Sequence, residues 1–225
     1  QKAAFVSDHL NPELRRAWKQ AVWPEALRQA RARNALLLFG DEASFPQWGT
    51  LTYTWARKGA QPVVKTSGKR KGYKVFGLID YFSGRFFHCA TTGKLNSPSY
   101  EAFLRQVLAQ TTQHLVLLQD GARYHTSAAL KEFFAQHAER LTVFQLPSYS
   151  PDFNPIEKLW KKIKEQDTHL HYFPDFAAHG KDGPDEQVSE AVPVHVPRAA
   201  HQATAPVIRV RAEDRDPGRS REGEV

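Results

Sequence analysis

Three carboxylates stand where short apolar runs give out: Asp41 after "ALLLFG", Asp120 after "LVLLQ", and Glu157 at the head of "IEKLWKKIKE". If the two runs are neighbouring parallel strands, their carboxylates become neighbours, and a helix packed on that edge adds the third. Carboxylates held this close repel one another and stay ionised at neutral pH only where cations neutralise them; oxygen donors suit Mg2+ or Mn2+. Two such ions about 4 Å apart clamp the attacking and leaving oxygens of an in-line phosphoryl displacement, the chemistry of nucleases and strand transfer. Each residue also has an ordinary use. Asp120 can start a turn, Asp41 has Glu42 beside it as a rival, and Glu157 follows Asn154 by three residues, where a glutamate serves a capping box.

The elements that must position these acids are legible in outline. Residues 12–34 read as helix broken at Pro24, with Leu14, Trp18 and Val22 at helical spacing. After the first apolar run, "LTYTWA", "QPVVKT", "YKVFGLIDYF" and "RFFHCAT" read as successive antiparallel strands, with "YFSGR" as a hairpin turn. A helix, "SPSYEAFLRQVLAQ", follows with Ser97 as its cap, then the strand into Asp120, the helix "TSAALKEFFAQHAE", and the short strand "LTVFQL". In the last helix Asn154 is the cap and Pro155 the first helical residue. Ile156, Leu159, Trp160 and Ile163 make its apolar stripe, with Trp160 in the core. Glu157 falls at the border of that stripe, on the side of Lys164. Strands followed by alternating helix and strand predict an α/β fold with a mixed sheet.

The chain has 225 residues, 41% hydrophobic and 12% aromatic, enough for one domain with a real core. A single cysteine, Cys89, excludes an internal disulfide and a four-thiolate zinc site. No apolar run reaches membrane-spanning length and no signal pattern opens the chain, so no membrane role and a cytoplasmic location are expected. The net charge is +7 and the pI about 9.5, which suits a polyanionic partner. Residues 176–225 carry seven Lys and Arg against nine Asp and Glu, leaving 24 against 15 for residues 1–175. The basic surplus therefore belongs to the part with core-forming residues. The last 50 residues hold one aromatic, Phe176, and five prolines, and disorder is expected from about residue 176. The division expected is a helical lead-in or linker over 1–34, a catalytic domain over 35–175 and a disordered tail over 176–225.

Lys65, Lys69, Arg70, Lys71 and Lys74 crowd a glycine-containing connection, which is either a phosphate-contacting loop or a solvated hairpin tip. Lys164 carries the same two readings. His125, five residues after Asp120, either positions water or DNA or bonds a backbone group at a helix start. The histidines show no zinc-type spacing, and the absence of GxSxG and of a glycine-rich phosphate loop speaks against a serine hydrolase and a P-loop ATPase.

"FGDEASF", "QDGARYHTS" and "LPSYSPDFNPIEKLWKKIK" resemble, in order, the three signature blocks of the DDE transposases of the mariner superfamily, in its bacterial insertion-sequence 630 branch. The 36 residues between Asp120 and Glu157 are close to the family's separation, and the resemblance covers about residues 30–174. It implies an RNase H-like, mixed five-stranded sheet flanked by helices, with the first acid on the first strand, the second at the end of the fourth and the third on a following helix. It makes Asp41, Asp120 and Glu157 the catalytic residues; by the chemistry of the cluster the same three are expected to ligate two Mg2+ or Mn2+ ions, and His125 and Asn154 are candidate accessory residues. It further implies cleavage of element ends and attack of the freed 3′ hydroxyl on target DNA, typically at TA. The partners would be double-stranded DNA and a second copy of the chain, in a bacterial, nucleoid-associated setting. Family members carry N-terminal helix-turn-helix modules, and this chain starts too near Asp41 to contain them. They also continue after "HYFP" with amphipathic helix, whereas here the apolar periodicity stops near Phe176. A truncated or frameshifted copy is the expectation these departures raise. The alternatives are an inactive remnant that binds DNA without sequence preference, and an unrelated RNase H-like nuclease.

Overall fold

The computed structural model describes residues 8–49, 51–66, 68, 71–170 and 189–191. Lys69 and Arg70, and the tail apart from residues 189–191, lie outside them. Its elements are α1 (Pro12–Ala17), α2 (Trp23–Ala32), β1 (Leu36–Pro46), β2 (Gly72–Asp80), β3 (Phe86–Thr91), α3 (Ser97–Gln110), β4 (Leu115–Gln119), α4 (Ala128–Gln136), β5 (Leu141–Gln145), α5 (Ile156–Ile163) and β6 (Ser189–Ala191).

The strands form one mixed sheet in the order β5-β4-β1-β2-β3-β6. Its first five strands in that order are the five-stranded sheet expected, and the short β6 extends the β3 edge. β1 is the hinge of the topology: it runs parallel to β4 on one side and antiparallel to β2 on the other. A strand with a neighbour on each edge and helices on each face is buried all round, which is why β1 and β4 read as unbroken apolar runs and not as alternations. The alternation is present in the packing. Leu37, Phe39 and Ala43 face Ala26 and Ala30 of α2 and Ile156, Leu159 and Trp160 of α5. Leu36 and Leu38 face Tyr100, Phe103 and Leu104 of α3 and Leu130 and Phe133 of α4. Each fully buried side chain of this size contributes about 1.5–3 kcal/mol.

Four expectations need correction. "LTYTWA" and "QPVVKT" form no strands; residues 51–66 are irregular, with Tyr53 and Trp55 fully exposed. Pro24 does not break a helix. The backbone stays helical from Pro12 to Ala32, and a π-helical turn over Trp18–Val22 immediately upstream accommodates the proline, which lacks an N–H to donate. The cap of α3 is Asn96, whose side chain accepts from Ser99 N–H while the Ser99 hydroxyl accepts from the Asn96 N–H. Finally, Asp41 does not end its strand: β1 continues to Pro46 because β2 pairs with it throughout.

Candidate active site

The first two acids are aligned by strand register. β1 and β4 pair from Leu36↔Leu115 to Phe39↔Leu118. Asp41 and Asp120 each lie two residues beyond the last of these pairs, Asp41 within β1 and Asp120 just past the end of β4. β4 stops there, so the edge of β1 is uncovered at Asp41.

The third acid is brought to that edge by the start of α5. Asn154 is buried; its Nδ2 donates to the carbonyl of Gly40 at 2.9 Å, one residue before Asp41. The same side chain's Oδ1 accepts from Ile156 N–H at 3.4 Å, and its carbonyl accepts from Glu157 N–H at 3.3 Å. Asn154 thus caps the helix in effect, although Pro155 takes the formal cap position. The N–H of Asn154 donates to the Pro151 carbonyl, so the capping box that would explain Glu157 as a structural residue is not formed. Further along α5, Trp160 Nε1 donates to Asp41 Oδ2 at 3.1 Å. The indole needs Gly77, the β2 residue opposite Asp41: a Cβ there would lie 2.6 Å from the Trp160 ring.

The carboxyls of Asp41 and Glu157 are both raised by burial and by nearby negative charge. Burial first, then the charge of Glu157, with Glu42 and Asp120 behind, pushes the Asp41 carboxyl up to about 7. Glu157 is raised by partial desolvation and by Asp120, with Lys164 pulling the other way. Asp120 is lowered, chiefly by a hydrogen bond from His125. Burial alone would lower the His125 pKa; the hydrogen bonds to Asp120 and Glu42 outweigh it and lift the ring to about 9.

The donor set is three carboxylates with no thiolate among them, and their burial and mutual repulsion are what a hard divalent cation relieves. As placed, no three His, Cys, Asp or Glu side chains among the described residues converge on one ion position. Protein donors engage one oxygen of two of the acids: Asp120 Oδ1 receives Ala122 N–H at 3.0 Å and lies 2.8 Å from His125 Nδ1, and Asp41 Oδ2 receives Trp160.

Of the basic residues singled out, Lys65 and Lys71 are exposed and Lys74 is half-buried. Lys71 and Lys74 line an open groove of about 720 Å³ together with Phe45, Trp48 and Tyr73. Lys164 holds its ammonium 5.7 Å from the centre of the Phe45 ring. Two residues of the site were missed by sequence reasoning. Trp160 is core, at 3% exposure, and also a donor to Asp41. Glu42 is bonded to His125 at 3.0 Å. Strand alternation was the available signal for Glu42, since it turns the residue after Asp41 to the opposite face of the sheet.

A family model described as DDE superfamily endonuclease matches residues 36–178. The chain is similar to the uncharacterized 39 kDa protein of insertion element IS630 from Shigella sonnei, 23% identical over 155 residues, which are 68% of this chain and 44% of that protein. It is also similar to the Tc1 transposase of Caenorhabditis elegans, 27% identical over 186 residues, 73% of this chain and 62% of that one. The chain spans about half the length of the curated relatives it matches. Among solved structures, the Mos1 transposase paired-end complex with left transposon end aligns with a TM-score of 0.58 at 16% identity, over 78% of this chain and 55% of that chain. The Mos1 mariner paired-end complexes with Mn and with Mg align at 0.57 each. At that identity the likeness is one of fold, the RNase H-like mixed sheet flanked by helices.

Proposed function

Because this chain belongs to the DDE superfamily of endonucleases, among the transposases of the insertion-sequence 630 and mariner branch, we propose that it cuts DNA strands at element ends and joins them to target DNA, typically at TA. The observation that carries this reading is the shared register of Asp41 and Asp120 at the uncovered edge of β1, with Asn154 tying the head of the Glu157 helix to Gly40.

Asp41, Asp120 and Glu157 would hold Mg2+ or Mn2+, two ions per site. When bound, such ions lower the pKa of a water nucleophile and neutralise charge developing on the phosphodiester oxygens. The chain's own residues prepare for this. Trp160 fixes the orientation of Asp41 through Oδ2, and Asn154 sets the distance of α5 from β1. Lys65, Lys69, Arg70, Lys71, Lys74 and Lys164 supply positive charge for backbone phosphates, which positions DNA without reading its bases. The substrate is double-stranded DNA at an element end and then at a target, and the working unit pairs two copies of the chain on two ends. The setting proposed with that substrate is a bacterial cytoplasm, associated with the nucleoid; no described helix is long and apolar enough to cross a membrane.

The test is a single-turnover assay of the purified chain on a duplex carrying a pre-formed element end, with Mn2+ or Mg2+. Metal-dependent nicking and joining that EDTA stops is the expected result. DNA binding without either step, in both metals, would make the chain an inactive remnant.

A further inference from the structure

Asp41 and Glu42 are consecutive on β1 and therefore turn to opposite faces of the sheet. Asp41 meets Trp160 of α5, and Glu42 meets the side occupied by Tyr100 and Tyr124. His125 lies between Glu42 and Asp120. Its Nδ1 is 2.8 Å from Asp120 Oδ1 and its Nε2 is 3.0 Å from Glu42 Oε1, with the side chain 1% exposed. Tyr100 and Tyr124 pack on the ring at centroid distances of 4.5 and 4.3 Å. The His125 N–H donates to the Ala122 carbonyl at 2.9 Å, which closes the turn under the ring. An imidazole walled in this way cannot rotate without breaking both carboxylate bonds. The two donors to Asp120, from Ala122 and His125, converge on the same oxygen. Oδ2 is then the oxygen of Asp120 with no hydrogen bond among the described residues.

We propose that Glu42 and His125 are positioning residues for the second acid: Glu42 fixes the ring of His125, and the ring fixes Asp120 so that Oδ2 is presented for a divalent cation. The inference rests on the reading of Asp120 as a cation ligand. Partners of this kind orient metal ligands, and their loss costs roughly 10- to 100-fold in metal affinity or activity.

Direct Mn2+ binding to the full chain, followed by electron paramagnetic resonance without DNA, separates the two claims. Asp120→Asn is the control for the underlying reading: if it binds Mn2+ as tightly as the parent, or the parent binds none, that reading falls and this inference with it. Given a loss in Asp120→Asn, Glu42→Ala and His125→Gln are expected to weaken Mn2+ binding by about 10-fold or more. Glu42→Gln recovers most of the loss, because its amide oxygen still accepts from the ring. The double variant Glu42→Ala/His125→Gln is no weaker than His125→Gln alone, since Glu42 acts through the ring. DNA affinity in EDTA does not fall in the two Glu42 variants, which remove a charge that repels phosphate. Parent-like Mn2+ binding in folded Glu42→Ala and Glu42→Gln overturns the proposal while leaving Asp120 a ligand. Additive losses in the double variant overturn the order of action. Should His125→Gln not fold, the two Glu42 variants decide alone.

Discussion

The segments "ALLLFG" and "LTYTWA" promise the same thing and deliver opposite ones. Residues 51–56 have the better strand composition, with Tyr, Thr and Trp alternating as a half-buried strand requires. Yet Tyr53 and Trp55 are fully exposed, and among the described residues the backbone hydrogen bond of 51–66 is that of one turn, Ala60 to Arg57 at 2.9 Å. Residues 35–40 lack alternation and become the centre of the sheet, hydrogen-bonded on both edges. A side-chain pattern permits a strand; only a partner edge makes one. The acids follow the same division. They sit where partner elements over-determine their positions, whereas Lys65 lies in the irregular segment and is exposed.

Four measurements test that contrast. The largest effect belongs to the acid edge itself. Asp120→Asn is expected to lower metal-dependent strand cleavage more than about 100-fold, beyond the upper end of what an outer partner's loss costs, with DNA affinity equal or higher because a charge repelling phosphate is gone. Single-turnover cleavage beside filter binding checks both, and retained cleavage would remove Asp120 from the site. Next comes Gly77→Ala, whose Cβ would meet the Trp160 ring at 2.6 Å. Forcing a methyl into a packed interior costs roughly 1–3 kcal/mol, read as a lower urea midpoint; an unchanged midpoint would mean that Trp160 yields freely and does not brace Asp41.

The basic side predicts a smaller, salt-dependent effect. Lys71→Ala and Lys74→Ala should each flatten the log–log salt dependence of DNA binding by about 0.9 for each phosphate no longer neutralised. A parallel loss at all salt concentrations would point to base recognition instead. Smallest of all is Tyr53→Ser with Trp55→Ser, expected to move stability by no more than about 0.5 kcal/mol because neither side chain is buried. A larger loss would mean that the segment packs after all and would erase the comparison.

What the sequence made legible follows from the same physics. Asp120 and Glu157 were readable because an apolar run and a Pro-marked helix start punctuate the chain locally. Their proximity to Asp41 was not, since it depends on β1 and β4 being parallel neighbours across 78 intervening residues, which no local signal encodes. The end of β1 was misjudged for a similar reason: Asp41 looked like a terminus, but the strand's extent is set by β2 on its other edge. Asn96 lost to Ser97 as the expected cap because both are good caps, and the choice between neighbours is made by backbone angles, here φ −151° and ψ 174° at Asn96. The bond between His125 and Glu42 spans 83 positions in sequence, and alternation could suggest the face but not the partner.

The two ties between α5 and β1, Asn154 to the Gly40 carbonyl and Trp160 to the Asp41 carboxylate, fall on consecutive residues of one strand. They make the first and third acids a single mechanical block. Asp120 is mounted differently, past the end of its strand and on a turn pinned by Ala122 and His125. The site is built like a caliper, with one jaw carrying two acids on paired strand and helix and the other carrying the third on a pinned turn. Its aperture is set by the turn from Asp120 to Ser127. Amide exchange should show this directly, slow at Leu38 and Phe39 within the core of the sheet and faster at Gly121 and Ala122, which lie outside the strand ladder.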